Sequence, residues 1–349
     1  MLAVGTSDGR VRLLDIETRE RVIDVVAHDC VSCLAVSRNG TLLASSGIDG
    51  RIKLWDVARG AELLCFEHPA GPVTSLSLAP SGLSLASGGV GEEVIVWSTR
   101  SGAMERRLPR RNAFRGDAYT SRCLAYAPDE AHLATGCGSQ IRVLDALTFA
   151  TEHLIPEAHI AVCALSYSAD GERLASGGFD CLVKVWDTAT WECLHSLSHW
   201  RAVFAVAFSP LDAGGRERWL ASGSSDRTVR VWDADSGEER LRLRGHHSTS
   251  GCTCHSTPPP RELCILDGHG DCVSAVAFSP DGDVLASCGI DRACKLWDAE
   301  TGELLSTISC GGSTSPPLLP AKPFNPSFPH PHLLTHCPAP SSLSQNLSP

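Results

Sequence analysis

An all-β fold assembled from repeated small sheets is what this 349-residue sequence predicts, and three observations predict it. First, one phrase recurs: residues 45–56 read SSGIDGRIKLWD, 176–187 SGGFDCLVKVWD, 222–233 SGSSDRTVRVWD and 287–298 SCGIDRACKLWD. Each opens on Ser, sets Asp four residues later and Trp six after that. Second, the closing dipeptide marks a period. Leu14-Asp15, Trp55-Asp56, Trp97-Ser98, Leu144-Asp145, Trp186-Asp187, Trp232-Asp233 and Trp297-Asp298 follow one another at 41 to 47 residues, with one last gap of 65. Third, apolar and polar residues alternate in runs such as VSAVAFS, bounded by Pro, Asn, Asp and Gly, and no window sustains a 3.6-residue apolar period. Alternation between turn residues is the strand signal. Four short strands in forty-odd residues make a small twisted sheet, which buries its faces only against its neighbours.

Within a unit each strand has its own warrant. The alternating run gives the first strand, and a Pro/Asn/Asp/Gly turn leads to LASxG, the second. A short Asp turn precedes the third strand, which ends KLWD, and a turn such as AETGEL leads to a fourth apolar run. A histidine stands ahead of each complete phrase: His28, His159, His199 and His269. Ser, His and Asp in company also describe a hydrolase triad. An enzyme needs one reactive centre, whereas a repeat architecture needs the same structural device in every unit. A buried Trp has one N–H to satisfy, and Ser, His and Asp can relay that bond to a loop. Each bond contributes about 1 kcal/mol net, while orphaning a buried member costs roughly 1–3 kcal/mol.

With His, Ser, Asp and Trp recurring in this order, the chain resembles the WD40-repeat family over about residues 1–309. The resemblance implies a β-propeller of about seven four-stranded blades. It also implies a hydrogen-bonded chain in each complete blade, from Trp to Ser to His to the turn Asp. The sets are His28/Ser45/Asp49/Trp55, His159/Ser176/Asp180/Trp186, His199/Ser222/Asp226/Trp232 and His269/Ser287/Asp291/Trp297.

Three units depart from that pattern. The first has Asp8 but Val4 and Leu14 in place of Ser and Trp; the third has His68, Ser87 and Trp97 but Gly91 for the turn Asp. The fourth keeps Thr135 but has Leu144 for Trp, and no leading His. These blades are expected to open locally before the others. The start, MLAVGTSDG, aligns with LLASSGIDG, so the first blade is expected to be incomplete, lacking its first strand. The last strand, GELLSTIS, ends near Ser309, and the tail beyond it is not expected to fill the gap. Either the ring has an imperfect seam, or the chain is a fragment or isoform of a longer propeller array; the second reading is preferred.

Two segments break the repeat. An insert at 247–261 holds Cys252, Cys254 and His255 beside His246 and His247. Their spacing matches none of the usual zinc frames, so a disordered splice-like insert is expected, with no metal or cofactor. The tail, 310–349, carries one charged side chain, Lys322, and prolines at 317, 320, 323, 326 and 329. Prolines every third residue share one edge of a polyproline II helix, and Pro317-Leu-Leu-Pro320-Ala-Lys322 resembles an SH3 ligand. The tail is expected to be disordered, with an SH3 or WW contact as a secondary possibility.

Composition narrows function. Net charge is −10, which disfavours general nucleic-acid binding. Most of the sixteen cysteines sit in strand-like runs such as VSCLAVS and LLCFEH, as small buried hydrophobes. The N-terminus does not read as a signal peptide, and no apolar run approaches the ~18 residues of a membrane-spanning helix. A reducing, intracellular and cytoplasmic setting is expected. There is no GxSxG, P-loop or HExxH, so the chain is not expected to be an enzyme.

Binding is the expected role, through the end of the propeller where the histidine loops and Asp turns converge. By resemblance the contact positions are Ile48 and Ser32; Phe179, Ala161 and Cys163; Ala202, Phe204 and Ser225; Ile290, Cys272 and Ser274; and Thr120 and Arg122. Phe179, Trp200 and Phe204 are expected to form one aromatic patch for other proteins or peptides; the bland alternative is that Phe204, within VFAVAF, packs between blades. A scaffold in a multiprotein assembly is the first reading. A substrate receptor of a cullin-type ubiquitin ligase is the alternative, weakened because no complete Trp-Asp pair continues to the WDxR form. A third reading is RNA-linked scaffolding through Arg106, Arg107, Arg110, Arg111 and Arg115, where no aromatics interleave for base stacking.

Overall fold

The computed structural model describes residues 2–15, 21–89, 94–108, 123–211, 215, 218–243, 269–310 and 332–334. Among them every regular element is a strand, and the strands form seven four-stranded sheets, the blades of a propeller. Blade two shows the unit. Its inner strand Val31–Val36 pairs antiparallel with Leu42–Gly47, which pairs with Arg51–Asp56, which pairs with the outer strand Ala61–Glu67. The second strand is buried almost throughout because it is covered by both flanking blades. The outer strand alternates exposed and half-buried positions because only one of its faces is covered.

Seven buried clusters hold the ring, one at each junction between blades. The residue that closes each repeat packs across its junction onto the preceding blade. Trp55 meets Val11 and Leu13 of blade one, Trp232 meets Val183 and Val185 of blade five, and Trp297, wholly buried, meets Val229 and Val231 of blade six. Leu144 and Leu14 stand in for Trp at two junctions. Leu144 is fully buried against Val94 and Val96, and Leu14 against Ala286 and Leu296 of blade seven. A leucine fills the interface but brings no N–H to satisfy.

The structure adopts the ring, and it changes the expectation for blade one. Three residues of the tail, His332–Leu334, pair with Leu2–Gly5 and complete that blade's four strands. They run parallel to their neighbour, whereas the inner strands of the other six blades run antiparallel. An open strand edge presents unpaired N–H and C=O groups that an extended segment can satisfy. HLLTHC, residues 332–337, is a proline-free run in the Pro-rich tail, so its N–H groups can donate. Side chains close the same seam. Leu2, Val4 and Leu14 pack against Ala275, Cys294 and Cys310, and the buried Arg12 donates from Nη1 to the Cys310 carbonyl at 2.9 Å.

Candidate interaction face

The repeated quartets line up as hydrogen-bonded chains in four blades. In blade five Trp186 Nε1 donates to Ser176 Oγ at 2.8 Å, Ser176 Oγ lies 2.7 Å from His159 Nε2, and His159 Nδ1 lies 2.7 Å from Asp180. In blade six the corresponding distances are 2.8, 2.7 and 2.9 Å for Trp232, Ser222, His199 and Asp226. In blade seven they are 2.8, 2.8 and 3.0 Å for Trp297, Ser287, His269 and Asp291. In blade two, Trp55, Ser45, His28 and Asp49 give 2.9, 2.9 and 3.1 Å. Each serine accepts from the indole and gives its own proton to Nε2, so Nδ1–H donates to the carboxylate. All four serines are wholly buried, and none is among the residues lining the cavity between the inner strands.

Burial pushes the pKa of His28, His159 and His199 below the ordinary 6.5, and the adjacent aspartates restore only part of the shift. Burial also opposes the charge on Asp226, but hydrogen bonds from His199, Thr228 and the Trp200 amide hold its carboxyl well below the carboxylate range. A cation caps each indole as well: Lys53, Lys184, Arg230 and Lys295 lie 5.7, 5.8, 5.8 and 5.9 Å from the ring centroids. Sequence reasoning missed this, although KLW, KVW, RVW and KLW carried the signal.

The incomplete blades keep parts of the device. Trp97 Nε1 still donates to Ser87 Oγ at 2.7 Å, and His68 Nδ1 accepts the Ala70 amide at 3.2 Å. Gly91 lies outside the described residues. In blade one Thr6 donates to Asp8, while Val4 is buried in the seam.

The loops beside the quartets position the candidate contact residues by one recurring bond. The amide of Ile48 donates to the Cys30 carbonyl at 3.1 Å, Phe179 to Ala161 at 3.0 Å, Ser225 to Ala202 at 3.0 Å, and Ile290 to Cys272 at 2.9 Å. A second device acts on the inner strands. In blades two, three, five, six and seven the register skips one residue, so Ser32, Thr74, Cys163, Phe204 and Ser274 are bulged out of the pairing. A bulge re-aims its side chain. Phe204 therefore does not continue the alternation of VFAVAF. It lines the mouth of the central channel and meets Phe179 edge-on, with ring centroids 5.6 Å apart at 86°.

The described candidates thus divide into three groups. Cys163, Phe204, Ser274 and Ile290 line the channel, a cavity of about 600 Å³. Ile48, Phe179 and Trp200 stand on its rim, exposed to 54%, 37% and 73%. Ala202 and Ser225 are half-buried and tied to each other. Arg122 and Thr120 lie outside the described residues. Ile160, 72% exposed directly after His159, was missed, although it occupies the position in blade five that Trp200 occupies in blade six. Cysteines wall part of the channel. Burial pushes the Cys33 thiol up to about 11 and Cys272 to about 12, so both stay protonated at neutral pH. Cys65, expected to be buried in LLCFEH, is exposed on an outer strand.

Arg106 and Arg107 are exposed on the outer strand Met104–Leu108 of blade three. Arg110, Arg111 and Arg115, the 247–261 insert and the SH3-like stretch at 317–322 lie outside the described residues.

A family model for the WD domain, G-beta repeat, matches residues 20–56, 60–98, 151–187, 191–233 and 260–298. The chain is 29% identical over 321 residues to Cell division cycle 20.1, cofactor of APC complex, from Arabidopsis thaliana, covering 81% of this chain and 67% of that protein. It is 25% identical over 258 residues to WD repeat-containing protein 18 from Homo sapiens, covering 61% and 60%. It is 29% identical to Telomerase protein component 1 from Rattus norvegicus over 80% of this chain and 10% of that protein.

Proposed function

We propose, from the premise that this chain belongs to the WD40-repeat family, that it is a non-enzymatic scaffold holding other proteins in a multiprotein assembly. The observation that carries this reading is the rim of the channel. There Phe179 and Phe204 meet edge-on from neighbouring blades, and Trp200 and Ile160 stand exposed on the loops leading into blades six and five. Apolar and aromatic side chains presented by stapled loops suit a contact hot spot, because little order is lost when a partner covers them. The four quartet serines are wholly buried, each spent on its own indole and imidazole instead of facing solvent. A relative described as a cofactor of a complex is in keeping with such a role.

Proximity labelling in cells tests it, comparing the intact chain with Phe179→Ala/Phe204→Ala. A specific subset of neighbours is expected to disappear with the substitutions while the variant keeps its unfolding transition. An identical labelled set from both proteins would reject the aromatic rim as the contact.

A further inference from the structure

At the opposite end of the ring from the histidine loops, blades four and five enclose a cavity of about 270 Å³. Its walls come from turns and strand ends: Asp129, His132 and Glu152 of blade four, and Tyr167, Asp170 and Trp191 of blade five. Three features mark its chemistry. Its lining holds three carboxylates and no lysine or arginine. His132 bridges two of them, with Nδ1 at 2.9 Å from Asp129 and Nε2 at 3.1 Å from Glu152, so even a protonated imidazole leaves the walls negative. The Tyr167 hydroxyl is buried at the cavity and takes no hydrogen bond among the described residues. Trp191 has φ 59° at the turn position where blades two, three, six and seven place Gly60, Gly102, Gly237 and Gly302, all with positive φ, and where blade four places Phe149 at φ 57°. A bulky residue in the left-handed region is strained and persists where its surroundings hold it. Here Trp191 stacks on His153, 5.0 Å between centroids and 14° between planes, making a flat aromatic wall.

A volume below the roughly 300 Å³ at which drug-sized sites begin fits a single side chain. Carboxylates, an aromatic face and a buried oxygen able to accept describe the surroundings of a guanidinium, which is planar, permanently charged and able to stack and donate at once. We propose that this cavity binds an arginine side chain presented by a partner protein. It lies away from the channel rim, so the two contacts are independent.

The test uses the full chain carrying 5-fluorotryptophan, with the Trp191 fluorine resonance assigned by its loss in Trp191→Phe. Acetyl-Gly-Arg-Gly-amide is titrated through the millimolar range, alongside the same peptide with neutral citrulline. The arginine peptide is expected to shift the Trp191 resonance saturably and the citrulline peptide to leave it in place. Asp129→Asn with Glu152→Gln is expected to weaken binding by roughly tenfold, about 1.4 kcal/mol. Phe179→Ala/Phe204→Ala is expected to bind the arginine peptide as the parent does, which separates this site from the rim. No shift with arginine, or equal shifts with arginine and citrulline, would overturn the proposal, and because this comparison uses the unsubstituted chain it stands whether or not the double variant folds.

Discussion

Ser176 holds two partners with one oxygen, accepting from Trp186 and donating to His159. Removing that oxygen leaves a buried indole N–H and a buried imidazole nitrogen unsatisfied together. Ser176→Ala is expected to destabilise the protein by roughly 1–3 kcal/mol in urea unfolding. Trp186→Phe removes the donor itself, so adding Ser176→Ala to it is expected to cost less than Ser176→Ala alone. A double-mutant cycle with strictly additive costs would show that the chain of bonds does not act as a unit. At this scale the sequence was most legible. The four residue types recur at fixed spacing, and each has the donors and acceptors that the geometry uses. The cation two residues before each Trp was equally visible in the sequence and went unread, because a lysine in a strand is ordinarily taken for a solvated face.

The four blades with a complete quartet owe stiffness to how that quartet is held, and that makes stability depend on pH. His28, His159 and His199 have pKa values lowered in the folded state, chiefly by burial. Below the ordinary value of 6.5 the unfolded chain takes up protons that the folded chain refuses, so stability is full above that pH and falls beneath it. Each such histidine contributes a slope of up to about 1.4 kcal/mol per pH unit in that window. Asp226 adds a second loss at lower pH, as its carboxyl, held below 3.8 in the fold, is protonated. Tm is expected to drop as pH is lowered from 7.5 to 5.5, and His159→Gln is expected to flatten that dependence while lowering Tm at neutral pH. A Tm unchanged over this interval would mean that the imidazoles take up protons as readily in the fold as in the unfolded chain. The strands themselves were readable from alternation, but the inner-strand bulges were not. A bulge skips one residue of the pairing, and the letters VFAVAF are the same with or without it.

The ring as a whole is closed by long-range contacts with no local signal. Arg12, near the start of the chain, is buried and bonded to the carbonyl of Cys310, 298 residues later, while its guanidinium also faces Asp24 at 3.4 Å. Arg12→Leu is expected to keep the apolar volume of the seam but orphan that carbonyl, at a cost of roughly 1–3 kcal/mol. Hydrogen exchange is expected to quicken first in Leu2–Gly5 and Leu304–Ser309. Exchange that quickens evenly around the ring would argue against a weak seam there.

The sequence by itself determined that the chain is all-β, that it has seven units, and which side chains knit four of them. These properties follow from period and donor count, which repeat locally. Only the tertiary structure decided that HLL at 332–334 completes blade one, that Phe204 turns to the channel, and that Asp129, Glu152, Tyr167 and Trp191 share one cavity. Strand pairing across hundreds of residues and the meeting of two neighbouring turns depend on how the whole ring closes, and no stretch of sequence short enough to be read alone contains that geometry.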